Sequence, residues 1–110
     1  MGDAQGSPLT DALNSLWAKY LPQMDERVGT LKKAAESLAN GTLTAPQQEL
    51  AGADAHKLAG VLGTFGLREG TELAREAESL YGGSLDGNPA AISRLQAIAE
   101  QLQTMIANRN

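Results

Sequence analysis

A chain of 110 residues with 42% hydrophobic and 20% charged side chains suits one compact domain and argues against intrinsic disorder. The absence of cysteine excludes disulfides, thiolate metal sites and cysteine nucleophiles, and a single histidine excludes metal motifs that need two imidazoles. The formal charge of −4 gives no electrostatic reason to bind nucleic acid or anionic lipid, and no stretch approaches the roughly 20 consecutive apolar residues of a membrane span. We therefore expect a soluble, cytoplasmic and monomeric domain.

Two apolar patterns of helical period occupy the first part of the chain. The first covers 8–21 and is followed by Pro22, which ends that helix or kinks it into the next one. The second covers about 23–39, and Asn40-Gly41 is a natural stop for it. The residues predicted to face the core are Leu9, Leu13, Leu16, Trp17, Tyr20, Met24, Val28, Leu31, Ala35 and Leu38.

A third pattern predicts a helix over 45–65. Thr44, with Gln47 three residues later, is typical of a capping box at the start of a helix. Gly66 is the expected end, because a glycine commonly follows the last helical turn. The apolar stripe of this helix consists of Ala51, Ala55, Leu58, Leu62 and Phe65.

The last two patterns predict helices over 67–81 and 89–107. Gly82-Gly83 ends the former, and Asn88 is placed to cap the latter. The stripe of the final helix consists of Ile92, Leu95, Ile98 or Ala99, Leu102, and Met105 or Ile106.

The last four helices have similar lengths and short connections, which favours sequential antiparallel neighbours. We therefore predict an all-α protein, namely an antiparallel up-down-up-down four-helix bundle with an additional N-terminal covering helix at 8–21. A single domain covers 8–108, and a flexible tail over 1–7 precedes it.

The helix over 45–65 is unusual because glycines interrupt it at three positions, and each costs about 0.5–1 kcal/mol relative to alanine. At helical spacing the glycines Gly52, Gly60 and Gly63, together with Ala59, share one face with His56. Two interpretations remain open. Either the small residues let a neighbouring helix approach, with His56 a bystander, or they clear a surface on which another protein reaches the imidazole. Imidazole suits the second role, because much of it is neutral and nucleophilic near pH 7.

The residues around this histidine resemble a known signature. The run from Ala55 to Gly60 reads AHKLAG, and the run from Gly63 to Leu67 reads GTFGL. Together they resemble histidine-containing phosphotransfer domains, the HPt modules of bacterial multistep phosphorelays. The resemblance implies that His56 accepts a phosphoryl group from an aspartyl phosphate of one receiver domain and passes it to an aspartate of another.

The resemblance also implies the partners and the division of labour. The partners are receiver domains of response regulators or hybrid histidine kinases. They supply the aspartate, a Mg²⁺ ion and a lysine, so this chain needs no cofactor or metal of its own. We expect the docking face for the receiver to consist of Gly52, Ala59, Gly60 and Gly63.

One position departs from the family pattern. The family commonly has a lysine three residues after the histidine, where its charge can stabilise the phosphoryl group, and this chain has Ala59 there. The candidates for the missing positive charge are Lys57, Arg68 and Arg75. The glutamates of the helix over 67–81 predict a solvated face, partly balanced by the two arginines, rather than a cation site.

The alternative is a helical adaptor that binds a receiver or another partner while its histidine stays silent. Ala59 keeps this alternative open. Autonomous kinase activity is not expected, because the chain lacks a phosphate-cradling glycine-rich loop with lysine and serine or threonine.

Overall fold

The structure is a computed structural model that describes residues 8–85 and 88–109. It contains the helices α1 (Pro8–Ala39), α2 (Ala45–Thr64), α3 (Arg68–Tyr81) and α4 (Pro89–Arg109). No described residue lies in a β-strand, so the predicted all-α class is confirmed. The predicted flexible tail over 1–7 lies outside the described residues.

The four helices pack in a closed ring in which α1 and α3 each contact both α2 and α4. Residues early in one helix meet residues late in the next, as where Tyr20 of α1 meets Phe65 and where Gly70 of α3 meets Met105. Consecutive helices are therefore antiparallel, and the predicted up-down-up-down order is observed.

Side chains that cap two helix starts were recognisable in the sequence. Thr44 Oγ1 accepts the backbone N–H of Gln47 at 3.2 Å, and Gln47 Oε1 accepts the N–H of Thr44 at 2.8 Å. Asn88 Oδ1 accepts the N–H groups of Ala90 and Ala91 at 3.1 and 3.2 Å. Both predicted caps satisfy N–H groups that the first helical turn leaves without a partner.

The glycine stops are also observed. Gly41 and Gly66 have φ angles of 73° and 72°, a region that a β-carbon disfavours. After α2, the N–H of Leu67 donates to the carbonyl of Leu62 at 3.0 Å. This Schellman geometry ends α2 sharply and turns the chain directly into α3.

The predicted separate helix over 8–21 is instead the first part of α1, which continues through Pro22. A proline removes the hydrogen bond to the carbonyl four residues earlier, here that of Ala18. Pro22 lies on an exposed side of α1, where water can bind that carbonyl. Trp17 and Met24, on either side of the proline, are both buried in the core, so the helix packs against the bundle before and after Pro22.

The first turns of α1 still cover one end of the bundle, as predicted. The rings of Trp17 and Phe65 pack edge to face, with their centres 5.1 Å apart. The guanidinium of Arg109 lies 4.9 Å from the centre of the Trp17 ring. Two leucines predicted to face the core do not, since Leu9 and Leu16 are 69% and 39% exposed. They lie where α1 extends beyond the end of α2, so α2 does not cover them.

The core runs along the axis between the four helices. Its largest fully buried side chains are Met24, Leu31, Leu58, Leu62, Ile98, Leu102 and Ile106. Helical spacing predicted that these residues face the core, with Ile98 and Ile106 each as one of two alternatives. None of the described helices combines the length and the apolarity that crossing a lipid bilayer requires.

Candidate functional site

His56 lies in the middle of α2 on the side turned away from the core. Its neighbours Ala55 and Leu58 are fully buried, which fixes the rotation of α2 about its axis. The imidazole therefore points outward, and 73% of the side chain is exposed. The predicted exposure of the ring is observed.

Among the described residues, a single side-chain contact orients the ring. Nδ1 of His56 lies 2.9 Å from Oε2 of Glu78 on α3. An ionised carboxylate can only accept hydrogen bonds, so Nδ1 carries the proton and donates it. The lone pair of the neutral ring then belongs to Nε2, on the edge of the ring away from Glu78. The ring is held by one nitrogen and presents the other.

Sequence reasoning missed the contact between His56 and Glu78 and assigned that glutamate to a solvated acidic face. The signal lay in the turn between α2 and α3. In an antiparallel helix pair, residues at equal distance from the turn lie opposite each other. Since the turn is at Gly66 and Leu67, this symmetry places position 78 opposite position 56.

The small residues around the imidazole do not form one open strip. A β-carbon built at Gly60 would meet nothing within 4 Å. At Gly63 it would lie 3.5 Å from Oγ1 of Thr71, and at Gly52 it would lie 3.7 Å from Cβ of Tyr81. Gly60 therefore borders open space, whereas Gly52 and Gly63 border α3.

The prediction that Ala59 belongs to an exposed docking face is wrong. It is only 6% exposed, because α3 packs on this side of α2. Thr71 donates a hydrogen bond from Oγ1 to the carbonyl of Ala59 at 3.2 Å. Ala59 is thus part of the contact between the two helices, and the methyl group at this position adds to the core.

The three predicted phosphate-neutralising cations lie at different distances from the ring. Lys57 is exposed and lines the same shallow groove as His56. Arg75 is exposed on α3, one turn before Glu78. Arg68 begins α3 and lies about 15 Å along the helix axis from Glu78. None of the three cations forms an ion pair or a hydrogen bond with a described residue.

A second groove lies on the other side of Lys57, between α1 and α2, and Gly60 and Tyr20 line it. It also contains Arg27, which sequence reasoning did not consider for the site. The guanidinium Nε of Arg27 lies 3.9 Å from Oδ1 of Asp54, a long ion pair that places a positive charge in this groove.

The acidic face of α3 is balanced differently from the prediction. Glu76 accepts two hydrogen bonds from Arg94 of α4, at 2.6 and 2.7 Å, and Glu78 is paired with His56. The hydrogen bonds from Arg94 lower the pKa of Glu76, and the same contact raises the pKa of Arg94. Arg68 and Arg75 take no part. Within residues 8–85 and 88–109, no three His, Asp or Glu side chains are grouped to hold a metal ion.

The site defines a class of helical domain, an antiparallel bundle with an exposed imidazole held by a carboxylate. Comparison with known proteins identifies the family. The profile of the Hpt domain matches residues 15–106. Protein RcaC of Microchaete diplosiphon is 35% identical over 91 residues, which make up 83% of this chain. No solved structure matches the chain significantly. The chain belongs to the Hpt domain family.

Family membership agrees with the resemblance drawn from the residues around His56. Domains of this family are phosphotransfer carriers in phosphorelays and have no kinase activity of their own. The chain spans 14% of the length of RcaC, so the similarity concerns one domain of that protein.

Proposed function

We propose that His56 is the phosphorylated residue, and that the domain takes a phosphoryl group from an aspartyl phosphate of one receiver domain and passes it to an aspartate of another. The observation that carries this proposal is the geometry of the ring. Glu78 holds Nδ1 at 2.9 Å, and the exposed side chain leaves Nε2 accessible to a docked protein.

The transfer step is an in-line displacement at phosphorus. The Nε2 lone pair forms the new P–N bond, and the P–O bond to the receiver aspartate breaks, with its electron pair going to the carboxylate. The reverse step delivers the phosphoryl group to a second receiver. Because the nucleophile is already oriented by Glu78, this chain contributes mainly positioning.

The remaining catalytic groups belong to the receiver, which supplies the aspartate, a Mg²⁺ ion and a lysine. On this chain, Lys57 and Arg75 are best placed to approach a phosphoryl group on Nε2, and Arg68 is farther away. We expect replacement of Lys57 or Arg75 by alanine to slow transfer several-fold, and Arg68→Ala to have a smaller effect. Rapid-quench measurement of label transfer checks this order.

The receiver docks on the open side of the ring, over Gly60 and the groove that contains Tyr20 and Lys57. Gly60 has no side chain and borders open space, which lets a partner approach the imidazole from this side. We place this encounter in the cytoplasm, with the domain acting as a monomer.

The test uses a receiver domain labelled on its aspartate with acetyl phosphate. Mixing it with this chain should produce an acid-labile, alkali-stable phosphate that mass spectrometry locates on His56. His56→Gln should abolish the label and leave the helical circular dichroism unchanged, because the side chain is exposed. Receiver binding without any label would instead identify the chain as an adaptor with a silent histidine.

A further inference from the structure

We propose that Arg27, held in place by Asp54, is a specificity-determining residue that binds a carboxylate on the surface of the docked receiver. The inference rests on the proposed function of His56. It goes further by stating which receivers fit the groove between α1 and α2. They are receivers with an acidic side chain about one helix diameter, roughly 10 Å, from the phosphorylated aspartate.

The groove between α1 and α2 carries positive charge on a protein whose formal net charge is −4. Arg27 and Lys57 line it, and no carboxylate is among the described residues that form its walls. The groove on the other side of the ring, between α2 and α3, is lined instead by Glu49 and Glu78 together with Lys57. A partner surface that covers the first groove is therefore favoured when it is acidic.

The guanidinium of Arg27 is held by two neighbouring side chains. Its Nε lies 3.9 Å from Oδ1 of Asp54, and its Nη1 donates to Oε1 of Gln23 at 3.5 Å. Only 20% of the Arg27 side chain and 12% of the Asp54 side chain are exposed. The packing of α1 against α2 has thus already ordered this long side chain. A partner that binds it loses less conformational entropy than it would with a freely moving arginine.

Further N–H groups of Arg27 are available to a partner. A guanidinium has five N–H donors and no acceptor. Its second terminal nitrogen, Nη2, has no partner among the residues that the structure describes. A carboxylate fits such a planar group of donors, because its two oxygens can accept two N–H groups at once. The groove therefore suits an aspartate or glutamate of the partner better than a neutral side chain.

The position of Arg27 relative to His56 assigns it to docking and not to the phosphoryl group. Asp54 precedes His56 by two residues, so Arg27 lies at nearly the same height along α2 as the ring. Two residues correspond to about 200° around a helix, so Arg27 contacts α2 on the side away from the imidazole. At helical spacing Gly60 and Lys57 lie between them. A receiver that contacts the ring over Gly60 therefore also covers Arg27.

Transfer kinetics separate binding of the receiver from the transfer step. The probe is a receiver domain that His56 accepts, labelled on its aspartate with acetyl phosphate and used at increasing concentration. In Arg27→Met, the receiver concentration that gives half the maximal rate should rise about tenfold, while the maximal rate stays within about twofold of the original. Lys32→Met is the matched control, because Lys32 is an exposed cation of α1 that bonds to Gln103 on the side of α4. It should change neither quantity.

Variants of Asp54 test whether the guanidinium must be held. Asp54→Asn leaves Arg27 in the groove and makes the surface more positive. It should nevertheless raise the half-saturating receiver concentration about threefold, because the guanidinium then moves more freely. A decrease would show that net charge alone attracts the receiver, and it would overturn the inference.

A double variant controls for stability. Arg27→Met leaves the largely buried Asp54 carboxylate without its cation, which lowers the free energy of unfolding. Arg27→Met combined with Asp54→Asn removes both charges and should recover the urea midpoint. It should still show the increase of about tenfold in the half-saturating receiver concentration. A return to the original concentration would mean that Arg27 acts only on the fold, and the inference would be wrong.

A double-mutant cycle identifies the carboxylate on the receiver. Each exposed aspartate or glutamate of the receiver that lies roughly 10 Å from its phosphorylated aspartate is replaced in turn by the corresponding amide. At one of these positions, the replacement should raise the half-saturating concentration with the original domain but not with Arg27→Met, which indicates a direct contact. Additive effects at every position would contradict the inference.

A binding measurement distinguishes this inference from the proposed function. Titration of unlabelled receiver against His56→Gln measures docking without transfer, and Arg27→Met should weaken docking about tenfold in that background as well. If His56→Gln fails to abolish labelling, the proposed site is wrong. If it abolishes labelling while Arg27→Met behaves like Lys32→Met, only the role of Arg27 is wrong.

Discussion

The two sides of α2 next to His56 use small residues for different purposes. On the side of α3, Ala59 is buried and accepts a hydrogen bond from Thr71, and Gly63 borders the same threonine. On the other side, Gly60 has nothing within 4 Å of its missing β-carbon. Packing of α3 against α2 buries Ala59, whereas Gly63 is exposed and would accept a β-carbon at an ordinary contact distance, and Gly60 borders open space.

The packing interpretation therefore applies to Ala59, and the open-surface interpretation applies to Gly60. The spacing of the glycines along the chain could not separate them. A helical wheel gives the angle of each residue about the axis of α2, but not the side on which the neighbouring helix packs. A larger residue should lower the free energy of unfolding on the α3 side. On the open side it should slow phosphoryl transfer.

The largest expected effect is on transfer, at the open side. Gly60→Leu should slow transfer from a labelled receiver by about 100-fold or more, because a side chain there keeps the receiver away from Nε2. The free energy of unfolding should rise by about 0.5–1 kcal/mol, since leucine favours the helix more than glycine does. Rapid-quench kinetics and urea denaturation measure the two quantities.

Gly29→Leu provides the control for this variant. A β-carbon at Gly29 also meets nothing within 4 Å, and the residue lies on the side of α1 opposite to Arg27 and its groove. It should gain helix stability in the same way and transfer at the original rate. Unchanged transfer in Gly60→Leu would contradict the assignment of this surface to docking.

One residue earlier, Ala59→Leu should have the reverse effect on stability. The added side chain must fit between α2 and α3, where only 6% of Ala59 is exposed. Overpacking of this kind costs about 1–3 kcal/mol. We expect the urea midpoint to fall by the corresponding amount, and a midpoint equal to that of Gly60→Leu would show that α3 does not pack closely here.

Thr71→Val tests the hydrogen bond across the same contact. The two side chains have nearly the same shape, so the change removes the bond from Oγ1 to the carbonyl of Ala59 with little change in packing. The expected loss is about 1 kcal/mol in the free energy of unfolding. Thr64→Val is the comparison, because the Thr64 hydroxyl bonds only within its own helix and is exposed; a loss as large in that variant would contradict the prediction.

The smallest effect concerns Tyr81, which faces Gly52 across the helix pair. Its hydroxyl is buried and has no hydrogen-bond partner among the described residues, so Tyr81→Phe should raise stability at pH 7 by about 1 kcal/mol or less. Burial raises the pKa of Tyr81 to about 12, against 10.0 for an ordinary tyrosine. Above pH 10 the phenol ionises in the unfolded chain before it does in the folded protein, so the free energy of unfolding falls as the pH rises toward 12.

Urea denaturation of both proteins at pH 7 and pH 11 measures this difference. The original protein should lose more stability between the two pH values than Tyr81→Phe does, because the unfolded chain gains from ionising the phenol. An equal loss in both proteins would mean that the hydroxyl is hydrated in the folded state.

Much of the fold was predictable because local interactions decide where helices begin and end. Thr44 and Asn88 cap their helices by hydrogen bonds within a few residues, and Gly66 supplies the positive φ that a turn requires. The apolar spacing gave the buried side of each helix for the same reason. The role of Pro22 was less predictable, because a proline ends a helix or is tolerated in it according to what the flanking residues pack against.

At the site, the sequence indicated the histidine and the family, since both depend on a short run of residues around His56. It indicated the open surface at Gly60, but not the burial of Ala59 or the partner on Nδ1. These depend on which side of α2 faces α3, and that is a property of the helix pair rather than of either helix.

The sequence by itself determined most helix ends and singled out the histidine that we propose as the phosphoryl carrier, because hydrogen bonds and apolar spacing over a few residues are enough to specify them. The tertiary structure alone decided which nitrogen of that residue is free. The choice is made by Glu78, which is 22 residues away along the chain and reaches the ring only because two antiparallel helices bring it to 2.9 Å.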